Sequence, residues 1–121
     1  MAATGAPVVF GSSTDGRPIK VTPTAIGSAE TLHTGSSTAT EYDEIDVYAV
    51  NTGANPETLY LCVGGVTDPD DKVPVPLAAG AGPKFCGRYR LKGNATPLIL
   101  KAFASTADVI NVWGQVTRYT P

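Results

Sequence analysis

Apolar and polar residues alternate along much of this chain. Over residues 43–50, DEIDVYAV, Ile45, Val47 and Ala49 share one face while Glu44, Asp46 and Tyr48 take the other. Successive side chains on an extended backbone point to opposite sides, so a period of two marks a half-buried strand. The turn-forming run NTGANPE follows, and then Leu59, Leu61 and Val63 alternate with Tyr60 and Cys62 over residues 58–63. Residues 72–77, KVPVPL, repeat the pattern with Val73 and Val75 on one side and Pro74 and Pro76 on the other. Proline cannot donate to a ladder, so this strand belongs at an edge and blocks further pairing there.

The remaining segments read the same way. Residues 18–23, PIKVTP, form a short strand bracketed by prolines, and residues 29–34, AETLHT, form another. Residues 84–91 are mixed, with Phe85 and Tyr89 as aromatic anchors, and residues 97–104, PLILKAFA, are apolar enough for a central strand. In the closing strand, residues 109–119, Ile110, Val112 and Val116 point one way and Gly114 marks a bulge or a close backbone approach. No stretch sustains a helical period, so helix is confined to one or two short turns. About seven to nine short strands with turn signals every 8 to 12 residues predict an all-β fold, a single-domain antiparallel β-sandwich or jelly-roll-like barrel.

Ahead of these strands, residues 1–17 are small and polar around one apolar patch, Pro7-Val8-Val9-Phe10. They read as an extended N-terminal arm preceding a domain of residues 18–121, or equally as a short edge strand on the domain's own sheet. Val8, Val9 and Phe10 are candidate partner contacts, together with Tyr48, Tyr60 and Trp113, which alternation sets opposite the aliphatic faces. Those three rings form a second core layer if both faces are covered, or an aromatic patch for a protein or a sugar if one face is open.

A length of 121 residues suits one domain with a real hydrophobic core. Nine basic and eleven acidic residues give a net charge of -2, leaving no electrostatic footprint for nucleic acid. No apolar run approaches the roughly 20 residues that span a bilayer, and the first residues carry neither the basic start nor the apolar segment of a secretory signal, so synthesis in a cytoplasm is expected. Cys62 and Cys86 are the only cysteines. Free buried thiols are favoured over a bridge.

Chemistry is thinly represented. Asp68, Asp70 and Asp71 are the densest acidic group, but the spacing lacks the alternating ligands and distal Glu of a calcium loop, and a solvated turn is the preferred reading. Glu41, Asp43, Glu44 and Asp46 form a second acidic group; alternation puts Glu44 and Asp46 on an outward face, and the group reads as solvating a strand or meeting a basic partner, not as catalytic. His33, the sole histidine, reads as a surface residue, with no nucleophile elbow to build upon. One His and two Cys cannot close a four-ligand zinc site, and no Gly-rich loop leads into a helix. The sequon Asn94-Ala95-Thr96 matters only in a secreted eukaryotic protein. No catalytic, cofactor or metal residue is assigned, and no enzyme activity is expected.

The segments GRPIKVTPTA, DEIDVYAVNTGANPETLYLCVGGVTDPDD and PLILKAFASTADVINVWGQVTR together resemble small virion structural proteins of tailed bacteriophages, over roughly residues 15–118. These are folding and turn motifs, not site motifs; the Cys62/Cys86 pair and the proline-rich KVPVPL strand depart from the pattern. The resemblance implies a capsid decoration or cement protein that stabilises the outer surface of the head. It further implies the major capsid protein as partner, homo-oligomers on the shell with a trimer favoured, and a virion location after synthesis in the host cytoplasm. The rival readings are a tail, neck or fibre component and a carbohydrate-binding β-sandwich.

Overall fold

The computed structural model describes residues 4–11 and 16–121. Nine strands are found among them: β1 (Thr4–Val8), β2 (Ile19–Lys20), β3 (Glu30–Thr34), β4 (Tyr42–Asn51), β5 (Glu57–Val63), β6 (Lys72–Leu77), β7 (Lys84–Lys92), β8 (Ile99–Ala104) and β9 (Ile110–Thr120). A 3-10 turn, Ile26–Ser28, stands between β2 and β3.

The strands form two antiparallel sheets. The front sheet runs β1-β9-β4-β7, with β2 also paired to β9, and the back sheet runs β3-β8-β5-β6. The partners nest about the β5–β6 hairpin: β4 with β7, β3 with β8, and β1 and β2 with β9. Nested pairing divided between two packed sheets is the jelly-roll form of the β-sandwich. The inner faces supply the core, where Ile45, Val47, Leu59, Leu61, Leu100, Ile110 and Val112 are fully buried. Burying a side chain of this size stabilises by about 1.5–3 kcal/mol.

The prolines act as their chemistry requires. In the segment 18–23, Ile19–Lys20 pairs opposite Val112 and Asn111 and the Val21 N–H donates to the Ile110 carbonyl, while Pro18 and Pro23 at the ends have no N–H to give. On β6, Pro74 and Pro76 are exposed along the edge of the back sheet.

Residues 4–10 are tied to the domain. Thr4–Val8 pairs residue by residue with β9, from Thr4 opposite Thr120 to Val8 opposite Val116, which is the edge-strand alternative. Phe10 then turns into the core and is only 4% exposed. Residues 1–3 and 12–15 of the expected arm lie outside the described residues.

Two register slips overturn sequence-based placements. In β3 the pairing with β8 shifts between Thr31 and His33, so that Leu32 and His33 are both buried although they are neighbours. His33 is therefore a core residue and not a surface one. In β7 the pairing with β4 shifts beside Gly87, whose φ of 120° favours glycine. Strict alternation would place Phe85 inward with Tyr89 and Leu91. The extra residue instead turns Cys86 inward and Phe85 out, where it is 51% exposed.

Candidate interaction surface

Two constellations stand out, one inside the sandwich and one on its front. Inside, Asp43 on β4 is completely buried and receives three charged or polar contacts. Arg118, its register partner on β9, donates from Nε to Oδ1 at 2.7 Å and from Nη2 to Oδ2 at 2.8 Å. His33 Nε2 lies 2.7 Å from Oδ2. Burial pushes the Asp43 carboxyl up, but the Arg118 and His33 hydrogen bonds outweigh it and hold the group below the usual aspartate range. Asp43 is thus a carboxylate, an acceptor only, and His33 Nε2–H is the donor. The hydrogen bond to Asp43 also raises the Arg118 guanidinium above its ordinary value.

Because His33 belongs to the back sheet and Asp43 to the front, their bond is a polar tie across the core. Phe10 closes it from one side, its ring 6.5 Å from the His33 ring and nearly parallel at 9°. Around it the loop leading to β4 is pinned, since Ser36 Oγ donates to Glu41 Oε1 at 2.6 Å and Thr120 Oγ1 donates to Glu41 Oε2 at 2.9 Å. Both Asp43 oxygens are thereby occupied by the protein's own donors. The cluster holds strands together.

The front sheet's outer face is open and ordered in rows. Reading across β9, β4 and β7, the rows are Trp113–Tyr48–Phe85, Gln115–Asp46–Arg88, Thr117–Glu44–Arg90 and Tyr119–Tyr42–Lys92. Tyr48 lies 6.3 Å from Trp113 and 5.3 Å from Phe85, and Tyr42 stacks on Tyr119 at 4.9 Å. Between the two aromatic rows run ion pairs, Arg88 to Asp46 at 2.6 Å and Arg90 to Glu44 at 2.9 Å. The basic partner expected for Glu44 and Asp46 is the adjacent strand of the same chain.

The six candidate contacts are not brought together. Val9 is exposed at 56% and Val8 packs partly on the core, whereas Phe10 is buried and offers nothing to a partner. Tyr48 and Trp113 share the front face, but Tyr60 is on the back sheet, stacked on Phe103 at 4.6 Å with Lys72 Nζ 5.4 Å from its ring centroid. Sequence reasoning missed Phe85 as a surface ring. The signal was Gly87, a glycine inside a strand, which marks a bulge.

The other groups serve local structure. Asp68 pairs with Lys72 at 2.9 Å, and Asp71 Oδ2 accepts from the Thr67 backbone N–H at 2.9 Å, closing the turn before β6. Cys62 and Cys86 are free and buried. Cys62 lies on the back sheet between Lys72 and Lys101, while Cys86 belongs to the inter-sheet core. Burial raises both thiols above their ordinary value, with the Asp71 carboxylate adding to the effect at Cys62.

No protein-family model matches the chain, and no curated protein sequence matches it. Among solved structures, a chain of Bacillus endospore appendages, described as forming "a novel family of disulfide-linked pili", is similar in fold. The TM-score is 0.54 at 17% identity, over 99% of this chain and 91% of that one. The likeness is one of fold.

Proposed function

We propose that this protein is a non-enzymatic structural subunit that works in many copies on a larger particle. The observation that carries the reading is the fold likeness along essentially the whole chain to a protein that builds pili. The use of the one buried Asp-His-Arg cluster for bracing, with its carboxylate fully occupied, supports it from within the chain. The finer reading is that the particle is a phage virion. Here the chain decorates and stabilises the outer capsid surface, bound to the major capsid protein as clustered copies, a trimer favoured. Its support is the resemblance of the three sequence segments. A subunit of this kind stabilises through many bridged seams more than through one strong contact.

Heads assembled with and without the protein test the finer reading, by electron microscopy and by resistance to heat. Density at symmetric positions on the shell, with heat resistance lost in its absence, is expected. Density confined to the tail, neck or fibre would overturn the capsid placement, and none on any virion would overturn the virion itself. A second reading, a filament subunit, is favoured by the pili of the structural neighbour. Fibres formed by the purified protein would establish it, and with Cys62 and Cys86 buried they would survive reductant. Glycan binding lost in Trp113→Ala would point instead to the carbohydrate-binding module.

A further inference from the structure

The open front face is complementary to itself in charge and in relief. Its acids stand in one column, Glu44 and Asp46 on β4, and its bases in the next, Arg88 and Arg90 on β7. The basic column is a ridge, with the arginine side chains 58% and 66% exposed, and Phe85 continues it. The acidic column is a trough, with side chains of Glu44 and Asp46 at 16% and 21%.

We propose that this face is a self-association surface that takes a second copy of the chain across a two-fold axis parallel to the strands and midway between β4 and β7. That axis keeps each row in place and exchanges the two columns. The ridge of one copy then lies over the trough of the other: Arg90 over the partner's Glu44, Arg88 over the partner's Asp46, and Phe85 over the partner's Tyr48. A guanidinium has five N–H donors, so each arginine can keep its own acid and reach a second one. Aligned packing of two sheets about 10 Å apart is an ordinary sandwich geometry.

The alternatives fail on charge. A two-fold axis in the plane but across the strands would set Arg88 on Arg90 and Glu44 on Asp46, and like charges juxtaposed at an interface are disfavoured. The back sheet's outer face offers no such pair of facing columns among the described residues: Lys72 and Lys101 flank Cys62, and Lys72 is already paired with Asp68 of the neighbouring turn. An isologous contact closes at two copies. It therefore adds to any three-fold clustering on a shell and holds whichever particle the subunit serves.

Sedimentation velocity on the full chain tests this. Wild type should dimerise with a dissociation constant that rises at least about 10-fold between about 0.05 M and 0.5 M salt. The double variants R88E/R90E, which leaves Lys92 as the one base beside four acids, and E44K/D46K, with only bases in the two columns, should each dimerise about 100-fold more weakly, and mixed one to one they should form a heterodimer. Exposed ion pairs contribute little to folding, and circular dichroism checks that both variants keep the β spectrum. Phe85→Ser, which leaves all four charges in place, should weaken the dimer at least about 10-fold. Wild type that stays monomeric at about 1 mM, a dimer indifferent to the charge reversals, or a mixture that fails to associate would each overturn the proposal.

Discussion

Replacing Asp43 by alanine separates the polar tie from the apolar core around it. The carboxylate is fully buried and is gripped by the Arg118 fork and by His33. Its removal strands two donors. The His33 side chain is 5% exposed, so its Nε2–H finds little water, and a buried unsatisfied donor costs about 1–3 kcal/mol. Arg118, 29% exposed, keeps part of its hydration. Removing one partner of a fully buried ion pair costs about 3–5 kcal/mol, and the partial hydration of Arg118 sets the expectation at the lower end, about 3 kcal/mol. For a domain of this size that is a fall in Tm of about 12 °C.

The effect is also pH-dependent, with a definite sign. A carboxyl whose folded pKa lies below its unfolded value contributes stability above the unfolded value and loses it as pH falls through the folded one. The difference between wild type and Asp43→Ala should therefore hold at neutral pH and narrow below about pH 4. Urea melts at pH 7 and at successively lower pH, analysed at constant m, provide the measurement. A variant within about 0.5 kcal/mol of wild type at pH 7 would refute the reasoning, since surface carboxylates behave that way. Loss of His33, Asp43 and Arg118 together for apolar residues should cost less than Asp43→Ala alone, because no donor is left stranded.

Phe10→Ala should destabilise by about 3–5 kcal/mol in chemical denaturation, as expected for an aromatic side chain removed from a core, and an effect below about 1 kcal/mol would place that ring outside it. Gly114→Ala should destabilise by at least about 1–3 kcal/mol, because a Cβ there would run into the Asp46 backbone carbonyl of β4; a melt unchanged from wild type would deny that close approach. Native protein should show slow reaction of both thiols with a thiol reagent, and unfolded, unreduced protein should titrate two per chain. Fewer than two would reveal a bridge.

The long alternating segments were legible because nothing interrupts their period. β4 was read within one residue at each end, and Ile110, Val112 and Val116 of β9 all point into the core as alternation required. Reading failed where one residue is added. The slip between Thr31 and His33 buries two neighbours, and the slip at Gly87 exchanges Phe85 for Cys86. A period-two pattern carries no information about an inserted residue except the glycine that permits it. Asp43 shows a different limit. Its position in the register with Ile45 and Val47 makes it inward-facing, yet a carboxylate belongs inside only if partners arrive from elsewhere. Those partners are 10 and 75 residues away in sequence and meet it only once both sheets have formed.

The two outer faces differ as surfaces. On the back sheet, Pro74 and Pro76 stand along β6, and Tyr60 is already stacked on Phe103. That face uses its rings on itself and closes its edge. On the front sheet, Arg88 and Arg90 stand opposite Asp46 and Glu44, and the bulge at Gly87 turns Phe85 outward into line with them. One inserted residue therefore buries a thiol and presents a ring beside a charged ridge. Had the alternation of β7 continued unbroken, Phe85 would join Tyr89 at the core, and the Trp113–Tyr48 row would end at β4 with no ring beside the arginines. The feature least visible in the sequence is the one that sets an exposed ring in line with the arginines of the front face.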